Sequence, residues 1–570
     1  MRALRARGAA MRATAGARAA LAGLARLVDL VGLTGLACLP VLAPGPAFAQ
    51  VPVRPGVTTH FSQGWLLRLL DDAKALGVAT IRDSVHWGMV ERSPGRVEFT
   101  EVNSGHVTRA CQAGIGVLLG IEPRNRLYDG GNTAFTPAAQ AAFARYVRAL
   151  ADRWGDCLVG VEIGNEINGL KGMTGPAAQA RATAHVDLLK AVYRAVKPGH
   201  PALALLGGSA NTIPTGFLAR LFAAGALDWV DGIAVHPYRL QPEGLDWELA
   251  RLDAAMRRGG TVRPIWATEF SQDFADPALA PAWYLKSIAL LESSGISNHF
   301  WYALADQPSF PTMGLVKFDG TRKPAARAFA FAARALAPLG PARRVDEGDP
   351  ALLHFRFGAD THVVWGARRS LAVPAGAAAF AADGTALPLP TRVSDEPVVI
   401  RGAATLAFGP PEVLADSLHG FARAPLGWWA RRKDGSLLPL TPVDWDWTSY
   451  LGTPSMPLLA AHPAEIGTVP AAGMIVRYTP PAGAAGGLTA ALCLHAARAG
   501  METAAALMAG PRVVWRADLG PQGRLTAAVA VRLGAGERLD LVLAPLPGRP
   551  LARVRYRFQV VRGAAEAPTC

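Results

Sequence analysis

The chain has 570 residues, which is too long for a single hydrophobic core, so two or three domains are expected. Its 58 basic residues outnumber 44 acidic ones and give a formal net charge of +14. The arginines are scattered and form no basic block, which argues against a nucleic-acid-binding protein. The five cysteines include no C-x-x-C pair, and this argues against the common structural zinc sites.

The N-terminal segment is typical of a secretory signal. Six arginines and one aspartate lie in residues 1–49, with an apolar run at 30–42 and then Ala47-Phe48-Ala49, an A-x-A cleavage pattern. We therefore expect cleavage after Ala49, a secreted or periplasmic protein, and no membrane span in the mature chain. Retention of the segment as an uncleaved anchor is the alternative.

Between residues 55 and 338, short apolar runs alternate with amphipathic helical stretches, which indicates a parallel α/β sheet. The eight runs are 56–60, 79–85, 116–121, 159–164, 203–207, 229–235, 263–268 and 297–302. Seven helical stretches separate them, and an eighth follows at 323–336. The pattern predicts one complete (β/α)₈ TIM barrel within residues 50–338.

Beyond residue 338 the hydrophobic period changes from helical to alternating. Residues 339–408 predict a small antiparallel β domain, and residues 409–570 predict a β-sandwich of jelly-roll type. The second region carries four tryptophans suited either to stacking on sugar rings, as in a carbohydrate-binding module, or to core and interdomain packing. They are Trp428, Trp429, Trp445 and Trp447. In the barrel, Cys111 and Cys157 both fall at the N-terminal face, where they are either bonded or two free thiols.

Two short runs in the barrel each deliver a carboxylate at the end of a strand. Residues 161–168 read VEIGNEIN and place Glu166 after the fourth strand, and residues 265–271 read IWATEFS and place Glu269 at the seventh. Catalytic groups of such barrels lie at the C-terminal ends of the strands, so the two carboxylates should face each other across one cleft. Paired carboxylates across a cleft perform glycoside hydrolysis. Glu162, on the same strand as Glu166, is expected in a buried ion pair with Arg82.

The strand ends together resemble the retaining glycoside hydrolases of clan A. The matching residues are Arg82 on strand 2, Asn165-Glu166 after strand 4, His236-Pro237-Tyr238 after strand 6, Glu269 on strand 7 and Trp301 on strand 8. The run TIRDSVHW at residues 80–87 and the trailing β domain look most like glycoside hydrolase family 39 and its biofilm-exopolysaccharide-cleaving relatives. One departure is Gly164, where relatives commonly carry an aromatic residue.

The resemblance implies a role for each matching residue. Glu269 would be the nucleophile and Glu166 the acid/base, which would need a raised pKa to be protonated near neutral pH. Arg82 and Tyr238 would hold Glu269 charged and oriented. Asn165 would bond the sugar 2-hydroxyl, His236 would be a hydrogen-bonding wall residue, and Trp301 would stack under the sugar ring.

These features predict a retaining glycosidase that needs no metal and no other cofactor. Its partner would be a polysaccharide or oligosaccharide, a bacterial exopolysaccharide or a β-glycan. Internal cleavage is expected because no long insertion follows strands 3, 4 and 7 to close one end of the cleft. The alternative is a catalytically silent carbohydrate-binding protein of an exopolysaccharide export system. The sequence leaves the sugar, the linkage and the oligomeric state open.

Overall fold

The computed structural model describes residues 52–481, 486–496, 501–521, 523–549 and 552–570. The predicted signal at residues 1–49 lies outside this part of the chain. Within the described residues, no helix has both the length and the hydropathy needed to cross a membrane.

Eight parallel strands close into a barrel, because the first strand pairs with both the second and the eighth. Gly56 aligns with Thr80 on one side and with Phe300 on the other. The strands are β1 (Arg54–Thr58), β2 (Thr80–Asp83), β3 (Gly116–Ile121), β4 (Leu158–Ile163), β5 (Ala204–Asn211), β6 (Gly232–His236), β7 (Ile265–Phe270) and β8 (Asn298–Trp301). The predicted TIM barrel is confirmed.

Eight helices surround the barrel, one after each strand. They are α1 (Leu69–Leu76), α2 (Glu101–Gln112), α3 (Pro137–Trp154), α4 (Arg181–Val196), α5 (Thr215–Ala223), α6 (Leu245–Arg258), α7 (Ala280–Ser293) and α8 (Pro324–Ala335). Capping residues help to determine where these helices begin. At α3, for example, Thr136 accepts a hydrogen bond from the Ala139 amide, and Pro137 occupies the first helical position. A one-turn helix (Trp87–Val90) and a small hairpin (Glu91–Ser93 with Arg96–Val97) follow β2.

The inside of the barrel is a packed core and not a channel. Leu118, Leu206, Ala234, Trp266 and Phe300 form one buried cluster from five different strands. Neighbouring strands have to leave room for these side chains. A Cβ on Gly56 would lie 2.5 Å from the Phe300 ring, so this strand position requires glycine.

The small β domain packs directly on the barrel. Its larger sheet holds Arg343–Val345, Leu352–Phe357, Thr361–Gly366, Val398–Arg401, Ala378–Phe380 and Ala386–Leu387, and its smaller sheet holds Arg392–Val393, Arg369–Ala372 and Ala407–Phe408. Phe355 and Trp365 belong to the same buried cluster as the barrel helices. The Trp365 indole also donates to Glu243 of the barrel at 3.1 Å. The antiparallel domain predicted for this region therefore shares a hydrophobic core with the barrel helices.

The C-terminal region is a sandwich of two antiparallel sheets, as predicted. One sheet contains Val413–Asp416, Thr441–Val443, Tyr450–Gly452, Ala460–Ala461, Glu465–Thr468, Gly486–Ala496, Arg524–Leu533 and Ala552–Arg562. The other contains Leu426–Arg432, Leu437–Pro439, Ala472–Tyr478, Thr503–Ala509, Arg512–Leu519 and Leu539–Pro545. Side chains such as Met474, Leu492, Leu541 and Phe558 fill the space between them.

Two disulfide bonds join the four cysteines of the described residues. Cys111 at the end of α2 is bonded to Cys157 just before β4, with Cα atoms 5.7 Å apart. Of the two alternatives for this pair, the bonded one is therefore found. Cys493, on the strand Gly486–Ala496, is bonded to Cys570, which lies 77 positions later in the chain.

Candidate active site

A cavity of about 720 Å³ opens at the C-terminal ends of the barrel strands. Residues at or after every one of the eight strands contribute to its lining, from Thr58 after β1 to Tyr302 after β8. Glu166 and Glu269 both line it. The prediction that the two carboxylates share one cleft is confirmed by this arrangement.

The two carboxylates lie close together. One oxygen of Glu166 and one of Glu269 are within 4.8 Å of each other. Retaining glycosidases hold their carboxyl groups about 5–5.5 Å apart, whereas inverting enzymes need about 6.5–9.5 Å to admit a water molecule. An oxygen–oxygen approach within 4.8 Å is compatible with the retaining geometry.

Glu269 is held by two donors from the barrel. Arg82 donates from Nη1 to one carboxylate oxygen, and the Tyr238 hydroxyl donates to the other at 2.6 Å. Burial, and next the charge of Glu269, raise the pKa of Tyr238 far above its usual value. Tyr238 therefore stays protonated and keeps donating at any working pH.

Arg82 is itself anchored by Glu162, as the sequence predicts. The guanidinium donates from Nε to Glu162 at 2.7 Å and from Nη2 to Asn165 Oδ1 at 2.9 Å. Burial of Glu162 favours its neutral form, but the charges and hydrogen bonds of Arg82 and His236 outweigh burial and lower its pKa to about 2. Glu162 is thus a permanent counterion for Arg82, and Thr268 donates to its other oxygen at 3.1 Å.

His236 lies among three carboxylates and has no exposed surface. Its Nδ1 is 3.3 Å from Glu166 and 3.6 Å from Glu269, and its Nε2 faces Glu162 at 3.5 Å. Burial lowers the pKa of His236, but the charge of Glu269 and the contacts with Glu162 and Glu166 more than offset burial and raise it to about 9. His236 is therefore a buried cation in the site and more than a wall residue.

Glu166 has surroundings that the sequence does not predict. Its Oε1 accepts a hydrogen bond from Asn211 Nδ2 at 2.7 Å and faces His236 at 3.3 Å. Burial favours the neutral acid, but His236 and Asn211 stabilise the carboxylate more, so the pKa of Glu166 lies below its usual value. The expectation of a raised pKa is wrong for this arrangement of charges, because a cation and an amide donor both point at the carboxylate.

The backbone around Glu166 is strained. Glu166, Ser209 and Thr212 have φ angles of 47°, 40° and 61°, in the left-handed region that non-glycine residues seldom adopt. Such strain persists only where the surroundings enforce it, and it is concentrated at functional sites. Gly164 has a φ of 85°, a backbone conformation that favours glycine over residues with a side chain.

Asn211 is the functional residue that the sequence analysis misses. The predicted fifth run stops at residue 207, but β5 continues to Asn211 after an irregularity between Gly207 and Ala210. Such an irregularity re-aims the following side chains. The sequence offers one indication of this residue, which is its position: Asn211 is the first amide side chain at the C-terminal end of a buried parallel strand.

Trp301 does not contact the cavity, and the role implied for it is corrected. It is 1% exposed, its indole donates to the Met313 carbonyl at 2.9 Å, and its ring packs on Phe274 and Trp283. Side chains alternate along a strand, so Phe300 points into the barrel and Trp301 towards the helices. The next residue, Tyr302, lines the cavity.

The remaining predicted residues fall as follows. Asn165 lines the cavity, and its Oδ1 is occupied by Arg82. Among the tryptophans, Trp428 is buried and donates to Tyr556 at 3.0 Å, and Trp429 lies beneath Arg477. Trp445 and Trp447 are 52% and 38% exposed.

Two side-chain groups in the described residues could reach a metal ion. One is Glu166, His236 and Glu269, and the other is Asp395, Asp416 and His419. The first already holds the cations Arg82 and His236. In the second, Arg557 donates to Asp416 at 2.6 Å and to Asp395 at 2.7 Å. Because both groups are neutralised by buried cations, neither donor set fits a metal.

Comparisons with known proteins give a likeness in fold. No protein-family model matches the sequence, and no curated protein matches it. The structure is similar to a family 39 glycoside hydrolase from the gut symbiont Bacteroides cellulosilyticus WH2, with 19% identity, a TM-score of 0.51, and coverage of 61% of this chain and 81% of that one. It is also similar to a GH39 β-xylosidase from Caulobacter crescentus, with 16% identity, a TM-score of 0.44, and coverage of 62% and 97%. A GH39 enzyme from Xanthomonas axonopodis pv. citri aligns at 15% identity and a TM-score of 0.42 over 89% and 100%. At these identities the comparison shows a shared fold and no more.

Proposed function

We propose that the protein is a retaining glycoside hydrolase in which Glu269 is the nucleophile and Glu166 the acid/base. The observation that carries this proposal is the separation of their carboxylate oxygens, within 4.8 Å, at the bottom of one cleft. The fold likeness adds support, since the similar solved structures include family 39 glycoside hydrolases.

The reaction proceeds by two displacements. Glu269 attacks the anomeric carbon and forms a glycosyl ester, while Glu166 gives its proton to the departing glycosidic oxygen. Glu166 then takes a proton from a water molecule, and the resulting hydroxide attacks the same carbon and frees Glu269. Asn165, whose Oδ1 is held by Arg82, presents its amide NH₂ towards the sugar hydroxyl that the resemblance implies.

The charges around the site suit this cycle. Arg82 and Tyr238 keep Glu269 ionised for attack. When Glu269 becomes an ester, its negative charge disappears, so the pKa of Glu166 falls further and Glu166 becomes the base that the second step needs. In the first step, the leaving group covers Glu166 and desolvates it further, and this burial favours the protonated acid.

The substrate is proposed to be an extracellular polysaccharide that is cut internally. Internal cleavage is proposed because no long insertion follows strands 3, 4 and 7 to close one end of the cleft. The signal predicted at residues 1–49 points to export. Two disulfide bonds support that location, because they persist in oxidising compartments.

One observation favours the second candidate, a carbohydrate-binding protein without turnover. The pKa of Glu166 lies below its usual value, which disfavours the protonated acid. A carboxylate fixed in its charged form would still bind sugar hydroxyls. The two candidates differ in whether a bound glycoside is hydrolysed.

The test is a panel of 4-nitrophenyl and 2,4-dinitrophenyl glycosides together with purified exopolysaccharides and β-glycans. We expect turnover of at least one substrate by the mature protein, first release of the retained anomer by NMR, and oligosaccharides as the early products of polymer. Binding without any product would favour the silent protein. An inverted first product would contradict the mechanism, and steady release of monosaccharide from full-length polymer would contradict internal cleavage only.

A further inference from the structure

A loop of the β-sandwich reaches the acid/base side of the cleft. This loop, residues 444–448, connects Thr441–Val443 with Tyr450–Gly452 and is named the docking loop here. Its backbone carbonyls accept hydrogen bonds from three barrel residues. Trp445 accepts from the Gly216 amide at 3.0 Å, Asp446 from Asn168 Nδ2 at 3.2 Å, and Trp447 from the Thr212 hydroxyl.

Two arginine side chains of the barrel hold the docking loop at its first residue and at its middle residue. Arg251 of α6 makes two bonds to Asp444, at 2.5 and 2.8 Å. Arg220 of α5 makes two bonds to Asp446, at 2.9 and 2.8 Å. Paired arginine–carboxylate bonds fix orientation as well as distance. The loop is therefore held against the barrel rim in one position.

From the docking loop, hydrogen bonds run without a break to Glu166. Asn168 donates to Asp446 O, and it also donates to Asn211 O at 3.1 Å and accepts from the Asn211 amide at 2.9 Å. Asn211 then donates from its side chain to Glu166 at 2.7 Å. Thr212, which contacts the loop through Trp447, has a left-handed backbone. The loop thus pins a strained segment whose side chain orients the acid/base.

We propose that the docking loop positions the acid/base carboxylate through Asn168 and Asn211, so that the β-sandwich is a working part of the catalytic site. This proposal rests on the function proposed above. Asn168 and the loop residues are positioning residues, since they reach the chemistry only through Asn211. The nucleophile has no such dependence, because Arg82 and Tyr238 both belong to the barrel.

The docking loop lies so close to Gly216 that a single added methyl group should displace it. A Cβ at this helical position would lie 2.7 Å from the Asp444 carbonyl oxygen and 2.9 Å from the Trp445 carbonyl carbon. Gly216→Ala improves helix propensity in α5 yet pushes the docking loop away. Gly88→Ala is the matched control, because a Cβ at Gly88, also in a helix, meets nothing within 4 Å.

The kinetic test separates the acid from the nucleophile by the leaving group. Dinitrophenolate departs without a proton, whereas an alcohol needs Glu166. We expect Gly216→Ala and Asn168→Ala to lower kcat/KM on alkyl glycosides by about 10²-fold, as misplacement of a catalytic group does. The kcat/KM on 2,4-dinitrophenyl glycosides, which reports only formation of the glycosyl ester, should stay within about threefold of the native value. Equal losses on both substrates, or no loss on either, would overturn the proposal.

Two further measurements keep the test decisive. If Asn168→Ala or Gly216→Ala does not fold, the double variant Arg220→Ala/Arg251→Ala should release the docking loop instead. Its control is Arg477→Ala, because Arg477 pairs with Asp540 inside the sandwich at 2.7 and 2.6 Å and does not contact the loop. Crystal structures of Gly216→Ala and Gly88→Ala need no substrate. We expect the Asn211–Glu166 bond of 2.7 Å to be lost in the first and kept in the second.

The two proposals fail in different ways. Absence of turnover by the native protein on every glycoside would refute the proposed function, while the crystal structures would still decide the positioning. A bond retained in Gly216→Ala would refute the positioning even if the native protein is an active glycosidase.

Discussion

The two carboxylates that we propose to be catalytic are supported by different parts of the molecule. Glu269 receives both of its donors from buried barrel residues, and Arg82 behind it is fixed by Glu162. Glu166 receives its donor from Asn211, which lies in a strained segment that the β-sandwich contacts. The barrel core therefore organises the proposed nucleophile, whereas our proposal makes the acid/base depend on how the barrel and the β-sandwich meet. The predictions below separate these halves, beginning with the largest effect.

Removing Glu269 should abolish formation of the glycosyl ester, whereas removing Glu166 should slow both the formation and the hydrolysis of that ester. Glu269→Ala should lower turnover on every substrate by roughly 10⁴- to 10⁶-fold. Glu166→Ala should lose about 10²- to 10⁴-fold on alcohol leaving groups and much less on dinitrophenyl glycosides. Azide should rescue the first with an inverted glycosyl azide and the second with a retained one, as read by NMR. Exchanged rescues would mean that the two roles are reversed.

The counterion of Arg82 should matter for stability. Glu162→Gln removes the negative charge that pairs with the buried Arg82 guanidinium. It should lower the free energy of unfolding by about 3–5 kcal/mol at neutral pH. Because the pKa of Glu162 is lowered from 4.5 to about 2, the native advantage is fully present above pH 4.5 and is lost as the pH falls towards 2.

Urea unfolding across this pH range measures the effect. Asp253→Ala is the control, since it breaks an exposed pair with Arg257 and should cost less than about 1 kcal/mol. A Glu162→Gln protein as stable as the native one would show that Arg82 does not need its counterion.

The His236 cation beside Glu166 should determine the pH at which kcat/KM falls on the alkaline side of its pH profile. His236 lowers the pKa of Glu166, so His236→Asn should raise that pKa and keep the acid protonated to higher pH. The alkaline limb of kcat/KM on an alkyl glycoside should move up by roughly one unit. Tyr238→Phe, which removes a donor to Glu269, should lower the rate without moving this limb. A shift of the limb to lower pH in His236→Asn would refute the assignment.

The smallest expected effect concerns which aromatic residue, Trp301 or Tyr302, contacts the sugar. Tyr302→Ala should raise KM by about tenfold, because it removes a ring that lines the cavity. Trp301→Phe should lower the melting temperature with KM unchanged, because Trp301 is packed away from the cavity. The reverse pattern would restore the sugar-stacking role to Trp301.

Sequence periodicity was sufficient to predict the barrel and both β domains, since each element buries one face with a regular period. The two carboxylates were predictable because strand ends in this fold point into one cleft, whereas Arg82 and Tyr238 were predicted only from the resemblance to clan A enzymes. Asn211 was not, because an irregular strand hides where β5 ends. The docking loop was not either, since a contact between residues 168 and 446 leaves no local pattern. The pKa of Glu166 depends on distances to His236 that only the folded structure supplies.

The central claim is that Glu269 forms a covalent bond to the sugar, and a trapped intermediate tests it most directly. A 2,4-dinitrophenyl 2-deoxy-2-fluoro glycoside of the sugar that the protein turns over should inactivate it with release of one equivalent of dinitrophenolate. Peptide mass spectrometry should then place the fluorosugar on the peptide that contains Glu269. A label on the peptide that contains Glu166, or full turnover of the matching glycoside with no label at Glu269, would contradict the account.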